Sequence, residues 1–162
     1  MPLSLPDLCD AHPDEVRVVE PIFRDFGART RFFGEIATIG CFEDNSKVRE
    51  RVRTPGEGRV LVVDGAGSLR CALLGDLLAA AAAENGWAGI VINGCVRDVE
   101  ILREIELGIR ALNCVPVKSK KRGEGSEGDA LRFGGVNFTP GDWVYADENG
   151  MVVSRERLPV DF

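Results

Sequence analysis

Two kinds of apolar run alternate through the middle of the chain. Arg59–Asp64 (Arg-Val-Leu-Val-Val-Asp) is β-branched and too apolar for a strand with one wet face, so it predicts a strand covered on both faces. Gly89-Ile90-Val91-Ile92 predicts a second such strand. Between them, after the turn Gly65-Ala66-Gly67, a helical pattern runs from about Asp76 to Asn85 and stops at Gly86. Asn93-Gly94 follows the second strand, and a further helix is expected from about Asp98 to Glu106. Strand, helix, strand, helix in this order implies parallel pairing with right-handed crossovers.

The flanks read differently. Residues 3 to 11 predict a short N-terminal helix. Arg29–Cys41 alternates and predicts strand structure broken near Gly34. Asn45 or Ser46 would cap a helix over Lys47–Arg53, and Thr54–Gly58 is a turn. Arg110–Val117 predicts another strand, Lys118–Asp129 a charged glycine-rich loop, and Leu131–Ser154 several strands divided at Pro140-Gly141-Asp142 and Glu148-Asn149-Gly150. The expected fold class is therefore α/β: a central β/α core with β-rich segments on either side, in one domain spanning residues 1–162.

Composition narrows the chemistry. A chain of 162 residues, 44% apolar and 28% charged, suits a soluble globular protein. Its longest apolar runs, such as Leu77–Ala83, cannot span a bilayer, and the N-terminus lacks a signal-peptide pattern, so the cytoplasm is expected. A net charge of -6 argues against general nucleic-acid affinity. The one basic cluster, Lys118, Lys120, Lys121 and Arg122, reads either as a solvated loop or as an anion contact. Five scattered cysteines without a Cys-x-x-Cys pair suggest buried reduced thiols. With His12 as the one histidine, a His-rich metal site is excluded and acid–base or metal chemistry would fall to carboxylates. Gly123–Gly128 matches G-x-G-x-x-G but precedes no clear helix, and Asp64-Gly65-Ala66-Gly67 lacks the third glycine, so neither supports dinucleotide binding.

Two polar sites stand where strand-like runs meet helix-like runs. At Gly75-Asp76-Leu77-Leu78, Asp76 is a good cap, but free N–H groups of Leu77 and Leu78 could also hold a carboxylate, with Gly75 admitting a ligand close to the backbone. At Arg97-Asp98, with twenty residues between Asp76 and Arg97, the pair reads either as a local ion pair or as a guanidinium for a carboxylate or enolate beside a hard oxygen ligand for magnesium or manganese.

The stretches Cys41–Asn45, Val60–Ser68, Asn93–Asp98, Phe133–Val136, Pro140–Asp142 and Tyr145–Asp147 closely resemble the RraA-like family, over roughly residues 5 to 157. That family includes the regulator of ribonuclease E activity A and class II 4-hydroxy-4-methyl-2-oxoglutarate aldolases. The resemblance implies a β/β/α swivelling-type fold and ring-shaped trimers, sometimes stacked, with active sites at subunit interfaces. Asp76, Arg97 and Asp98 match the D-x20-R-D motif of the aldolase branch, whereas the regulator branch lacks one or both aspartates. Ile101 stands where some members carry an acid, and Glu100 is the nearest substitute. By the resemblance, Asp98 would hold the divalent metal (Mg2+ or Mn2+). Arg97 and the Gly75–Leu78 turn would bind the 2-keto acid, and Asp76 would serve proton transfer. Cleavage to two pyruvates through an enolate and, secondarily, decarboxylation of oxaloacetate are the implied activities. A non-catalytic inhibitor of ribonuclease E is the alternative, while a menaquinone methyltransferase finds no cofactor loop in the sequence. Glu43 and Asp44 are candidates to reach a neighbouring subunit's site, although helix capping explains them equally well.

Overall fold

Alternation inside two strands builds the centre of the fold. In β4 (Val60–Asp64), Leu61 and Val63 face one apolar core and Val60 and Val62 the other. In β6 (Gly89–Val96), Ile90 and Ile92 face the first core and Val91 the second. All seven are fully buried, each worth about 1.5–3 kcal/mol of burial. The computed structural model describes residues 4–160.

β3 (Phe32–Gly40), β4, β6 and β7 (Gly108–Cys114) lie side by side and parallel, as the strand–helix order predicts. On one face sit α2 (Ser46–Val52), α3 (Asp76–Glu84) and α4 (Val99–Leu102), which contribute Val48, Val52, Ala79, Ala82 and Leu102 to the first core. On the other face, the hairpin of β9 (Leu131–Phe133) and β10 (Val136–Phe138) joins β11 (Trp143–Asp147) and β12 (Gly150–Ser154) around the second core. The result is two β layers and one helical layer. β1 (Val16–Val18) extends the sheet beside β12, β2 (Arg24–Asp25) beside β7 and β8 (Ser126–Glu127) beside β3. α1 (Leu5–Ala11) packs Leu5 and Leu8 against Tyr145, Val152 and Leu158. Its capping box of Ser4 and Asp7 explains the start at Leu5, and the expected extension to Leu3 lies outside the described residues. No helix among the described residues is long and apolar enough to cross a membrane.

Several boundaries differ from expectation, each for a packing reason. β3 is not broken at Gly34; it changes partner there, pairing with β11 over residues 32–35 and with β4 over 36–40. A Cβ at Gly34 would stand 2.4 Å from the Gly58 carbonyl. β6 runs through Asn93-Gly94 to Val96 because Cys95 and Val96 pair with β7 on one side and β5 (Ala72–Leu74) on the other. The three-residue β5 was not expected; Cys71–Leu74 is its apolar signal. α4 ends at Leu102, not Glu106, because the chain must return to set Gly108 beside Gly89, and Glu104 and Glu106 would oppose the negative C-terminal end of a longer helix. That return also starts β7 at Gly108, two residues before the expected strand. The Asn149-Gly150 signal marks the β11–β12 hairpin, with Asp147 paired to Gly150.

Phe32 locks the entry to the parallel sheet. Its ring lies over the paired glycines Gly89 and Gly108, so closely that a Cβ on Gly108 would fall 2.1 Å from Phe32 Cδ1. Gly108→Ala is expected to cost about 1–3 kcal/mol in urea unfolding, and the cost should shrink in a Phe32→Leu background, where the ring is gone.

Candidate active site

The strand ends bring the two polar sites into contact. β5 ends at Leu74, and Gly75 is the N-cap of α3. β6 ends at Val96, the Arg97 N–H donates to the Leu74 carbonyl (3.0 Å), and Asp98 caps α4. Asp98 sits in the left-handed region (φ 58, ψ 42), a conformation that costs a non-glycine residue about 1–3 kcal/mol. This turn aims its carboxylate back at α3. The Asp76 N–H donates to Asp98 Oδ2 (3.1 Å), and Arg97 Nε lies 4.0 Å from the same oxygen. The backbone N–H of Asp76 and the guanidinium of Arg97, with twenty residues between them in sequence, thus share the surroundings of one Asp98 oxygen.

Gly75 makes room for that carboxylate. A Cβ there would sit 2.7 Å from Asp98 Oδ2 and 3.6 Å from Arg97 Nε. The space expected for an incoming ligand is filled by the protein's own aspartate. Nor is the Leu77 N–H free as expected, since it donates to Asp76 Oδ1 (2.9 Å). Past the N-cap, the Leu78 N–H is the one of the first helical turn left for an acceptor from outside, among the described residues. The Leu77 side chain is 80% exposed.

A shallow cavity of about 340 Å³ opens beside the pair, lined by Arg97, Asp98, Glu100, Cys114, Val115 and Pro116 among others. Gly75–Leu78 do not line it. Glu100 does, whereas Ile101 is on the exposed face of α4. Among the described residues no three His, Cys, Asp or Glu side chains converge to hold a metal ion. Asp98 offers one oxygen, Oδ1, without a protein partner among the described residues. One carboxylate with waters completing the shell is a donor set that suits magnesium, a hard cation that dehydrates reluctantly.

Cys41, Cys71 and Cys95 are buried free thiols, as composition suggests, while Cys114 is exposed and Cys9 half-buried. Burial pushes the Cys41 thiol up to about 12 and raises Cys71 and Cys95, so none of the three is a ready nucleophile. His12 pairs with Glu15 at 2.8 Å in the N-terminal segment.

The motif Cys41–Asn45 does more than cap a helix. Glu43 accepts from Ser68 Oγ (2.6 Å) and from both Nε (2.6 Å) and Nη2 (2.8 Å) of Arg70, and these donors hold its carboxyl below the ordinary range. Asp44 is 2% exposed, and its carboxylate accepts from the Ser46 N–H and Oγ and from the N–H groups of Arg122 and Glu124. Asp44 is therefore spent within its own chain and cannot reach a neighbour's site. Neither Ser68 and Arg70 nor the loop contacts of Asp44 stood out in the sequence, because their partners lie 25 to 80 residues away.

Comparison with known proteins gives one family. The RraA-like (Aldolase/RraA) family model matches residues 5–153. A Pseudomonas putida (strain W619) protein named "Putative 4-hydroxy-4-methyl-2-oxoglutarate aldolase" is 60% identical over 153 residues, 94% of each chain. A Hahella chejuensis protein of the same name is 58% identical over 94% of this chain and 93% of its own. Among solved structures, one titled as the RNA-processing inhibitor RraA of Thermus thermophilis matches at 44% identity and a TM-score of 0.94, covering 98% of this chain and 96% of that one. Another, titled S-adenosylmethionine: 2-dimethylmenaquinone methyltransferase of Geobacillus kaustophilus, matches at 48% identity and 0.94, covering 96% and 97%.

Burial alone would raise the Asp44 carboxyl, but its four donors outweigh burial and hold it at about 2, against 3.8 when free. A depressed value stabilises the fold above about pH 4, and that contribution is lost as the pH falls towards 2. The stability gap between the wild type and Asp44→Asn is therefore expected to be widest near neutrality and to narrow by about 2 kcal/mol between pH 5 and pH 2 in urea titrations.

Proposed function

The chain belongs to the RraA-like family, and from that premise we propose that it is a divalent-metal-dependent aldolase cleaving 4-hydroxy-4-methyl-2-oxoglutarate to two pyruvates. The observation that carries this reading is that the start of α3 and the end of β6 bring Asp76, Arg97 and Asp98 together, the Asp76 backbone N–H donating to Asp98 Oδ2 (3.1 Å) with Arg97 beside the same carboxylate. Similar folds carry three different names, so the fold alone does not choose among them. The intact aspartate pair favours the aldolase.

In this reading Arg97, about two-fifths exposed at the cavity wall, binds the carboxylate of the 2-keto acid with its planar fork. Asp98 Oδ1 would hold the metal, with waters in the remaining positions. When bound, the metal supplies a Lewis acid for the keto oxygen. The C4 hydroxyl proton leaves through a water oriented by Asp76, the C3–C4 bond breaks, and one pyruvate departs. The electron pair remains as a pyruvate enolate, which Arg97 stabilises until C3 takes a proton to give the second pyruvate. Oxaloacetate decarboxylation yields the same enolate, so it is the proposed secondary activity.

A second copy of the chain would complete the site. Exposed Phe42, Leu69, Leu77, Ile101 and Val117 all belong to segments at this end of the sheet, where a subunit contact would cover them. A trimer or stacked trimers is the proposed assembly. The regulator reading, in which the chain binds and inhibits ribonuclease E, draws on the Thermus neighbour. Its test is a pull-down with ribonuclease E followed by an RNA-cleavage assay, and absence of binding at micromolar concentration dismisses it.

The aldolase reading is tested by pyruvate release coupled to lactate dehydrogenase, with magnesium or manganese and with chelator. Chelation is expected to abolish turnover. Arg97→Ala and Asp98→Ala should each lower kcat by about 10²-fold or more, and Asp76→Ala comparably. Full activity in the Asp98→Ala protein would sink the assignment.

A further inference from the structure

Arg110 is a buried cation for which the candidate active site has no use. Ile109 and Ala111 on either side of it in β7 face the helical core, so alternation turns Arg110 to the other face of the sheet. It is 5% exposed, and its guanidinium lies over the Phe32 ring at 5.6 Å. In register it stands beside Val91, six residues back along β6 from Arg97. At the rise of a strand that is about 20 Å from the candidate active site.

The guanidinium is only partly satisfied. Nη2 donates to the Thr30 and Asp147 carbonyls (2.7 and 3.1 Å). Nε is buried with no acceptor at hydrogen-bond distance, and the Asp25 carboxylate stands 3.8 Å from it. Nη1 has no acceptor among the described residues. The Asp147 carboxylate is taken by the N–H groups of Leu5 and Asn149 (2.8 and 2.7 Å). Burial lowers the pKa of Arg110 although Asp25 and Asp147 pull it the other way, so its charge is under-compensated. A buried donor without a partner costs the fold stability, and that cost needs a reason.

Beside Arg110 opens a cavity of about 300 Å³ with mainly apolar walls. Leu5 and Cys9 of α1, Val18 and Phe23, and Met151 and Val152 of β12 line it. Val18 is 64% exposed at its rim, and Ile22, between the lining residues Pro21 and Phe23, is 47% exposed. Glu20 is the acid among the lining residues, and its carboxylate reaches the β9–β10 turn, where a Cβ on Gly135 would stand 2.7 Å from Oε1. An apolar chamber with a buried cation in its wall matches neither a neutral apolar guest nor a small hydrophilic anion. The first would leave the guanidinium unmet, and the second would leave the walls wet. The volume is at the low end for ligand pockets, which suits a short molecule better than a membrane lipid.

We propose that this cavity binds a medium-chain carboxylate, its charged end on Arg110 and its apolar tail along α1 and β12. The site lies on the opposite face of the sheet from Arg97 and Asp98 and does not depend on the aldolase reading. Calorimetric titration with octanoate tests it against two partial ligands. 1-Octanol has the chain without the charge, and propionate has the charge without the chain. Octanoate is expected to bind about tenfold or more tightly than either.

Arg110→Gln should bring octanoate down to the affinity of 1-octanol. Val18→Glu, at an exposed strand position, sets a like charge at the rim and should weaken octanoate about tenfold, whereas Val18→Lys should not. This pair decides the question even if the Arg110 variant fails to fold. Arg97→Ala should leave octanoate affinity unchanged, which separates this cavity from the keto-acid site. Octanoate binding no tighter than 1-octanol or propionate, equal effects of the two Val18 variants, or loss of binding in Arg97→Ala overturns the proposal.

Discussion

Burial of β4 and β6 on both faces is the constraint from which the rest of this structure follows. A strand with Leu61 and Val63 on one side and Val60 and Val62 on the other offers no face to water, so helices must cover one side and a second β layer the other. Such strands leave polar chemistry nowhere to sit but at their ends. Asp64, Arg97 and Asp98 all occur at or just beyond the last residues of β4 and β6, where the backbone emerges from the two cores.

At that edge the protein completes much of its own electrostatics. The start of α3 would attract an anion, and the carboxylate of Asp98 is the anion it receives. The left-handed turn at Asp98 and the missing side chain at Gly75 are two sides of one arrangement: the turn aims the carboxylate, and the glycine leaves it a place. Arg97 is thereby drawn alongside with much of its guanidinium still reachable from the cavity. Asp44 does similar work at a distance, fixing the loop that follows β7 through two backbone N–H groups. A buried aspartate with four donors specifies one loop path, since each donor would otherwise lose a partner.

The swap of β3 from β11 to β4 shows how local signals mislead without being empty. Gly34 does mark a change in the strand, but the change is of neighbour, and the close Gly58 carbonyl is why no larger residue fits. Asn93-Gly94 carries an ordinary turn signal that pairing on both flanks overrides, because Cys95 and Val96 have β5 and β7 to bond with. α4 stops early for the opposite reason: the helical pattern continues in sequence, yet the chain is needed back at the sheet.

The sequence by itself determined the buried strands, their parallel order, the extent of α3 and the identity of Asp76, Arg97 and Asp98 as the residues to watch. Those features depend on local periodicity, caps and side-chain chemistry, which act between residues close in the chain. Only the tertiary structure decided that Asp98 fills the space over Gly75, that Asp44 is spent on residues 122 and 124, and that the basic segment runs beside β5. Each of those depends on backbone groups tens of residues apart meeting at hydrogen-bond distance, and no periodicity in the chain encodes which donor will find which carboxylate.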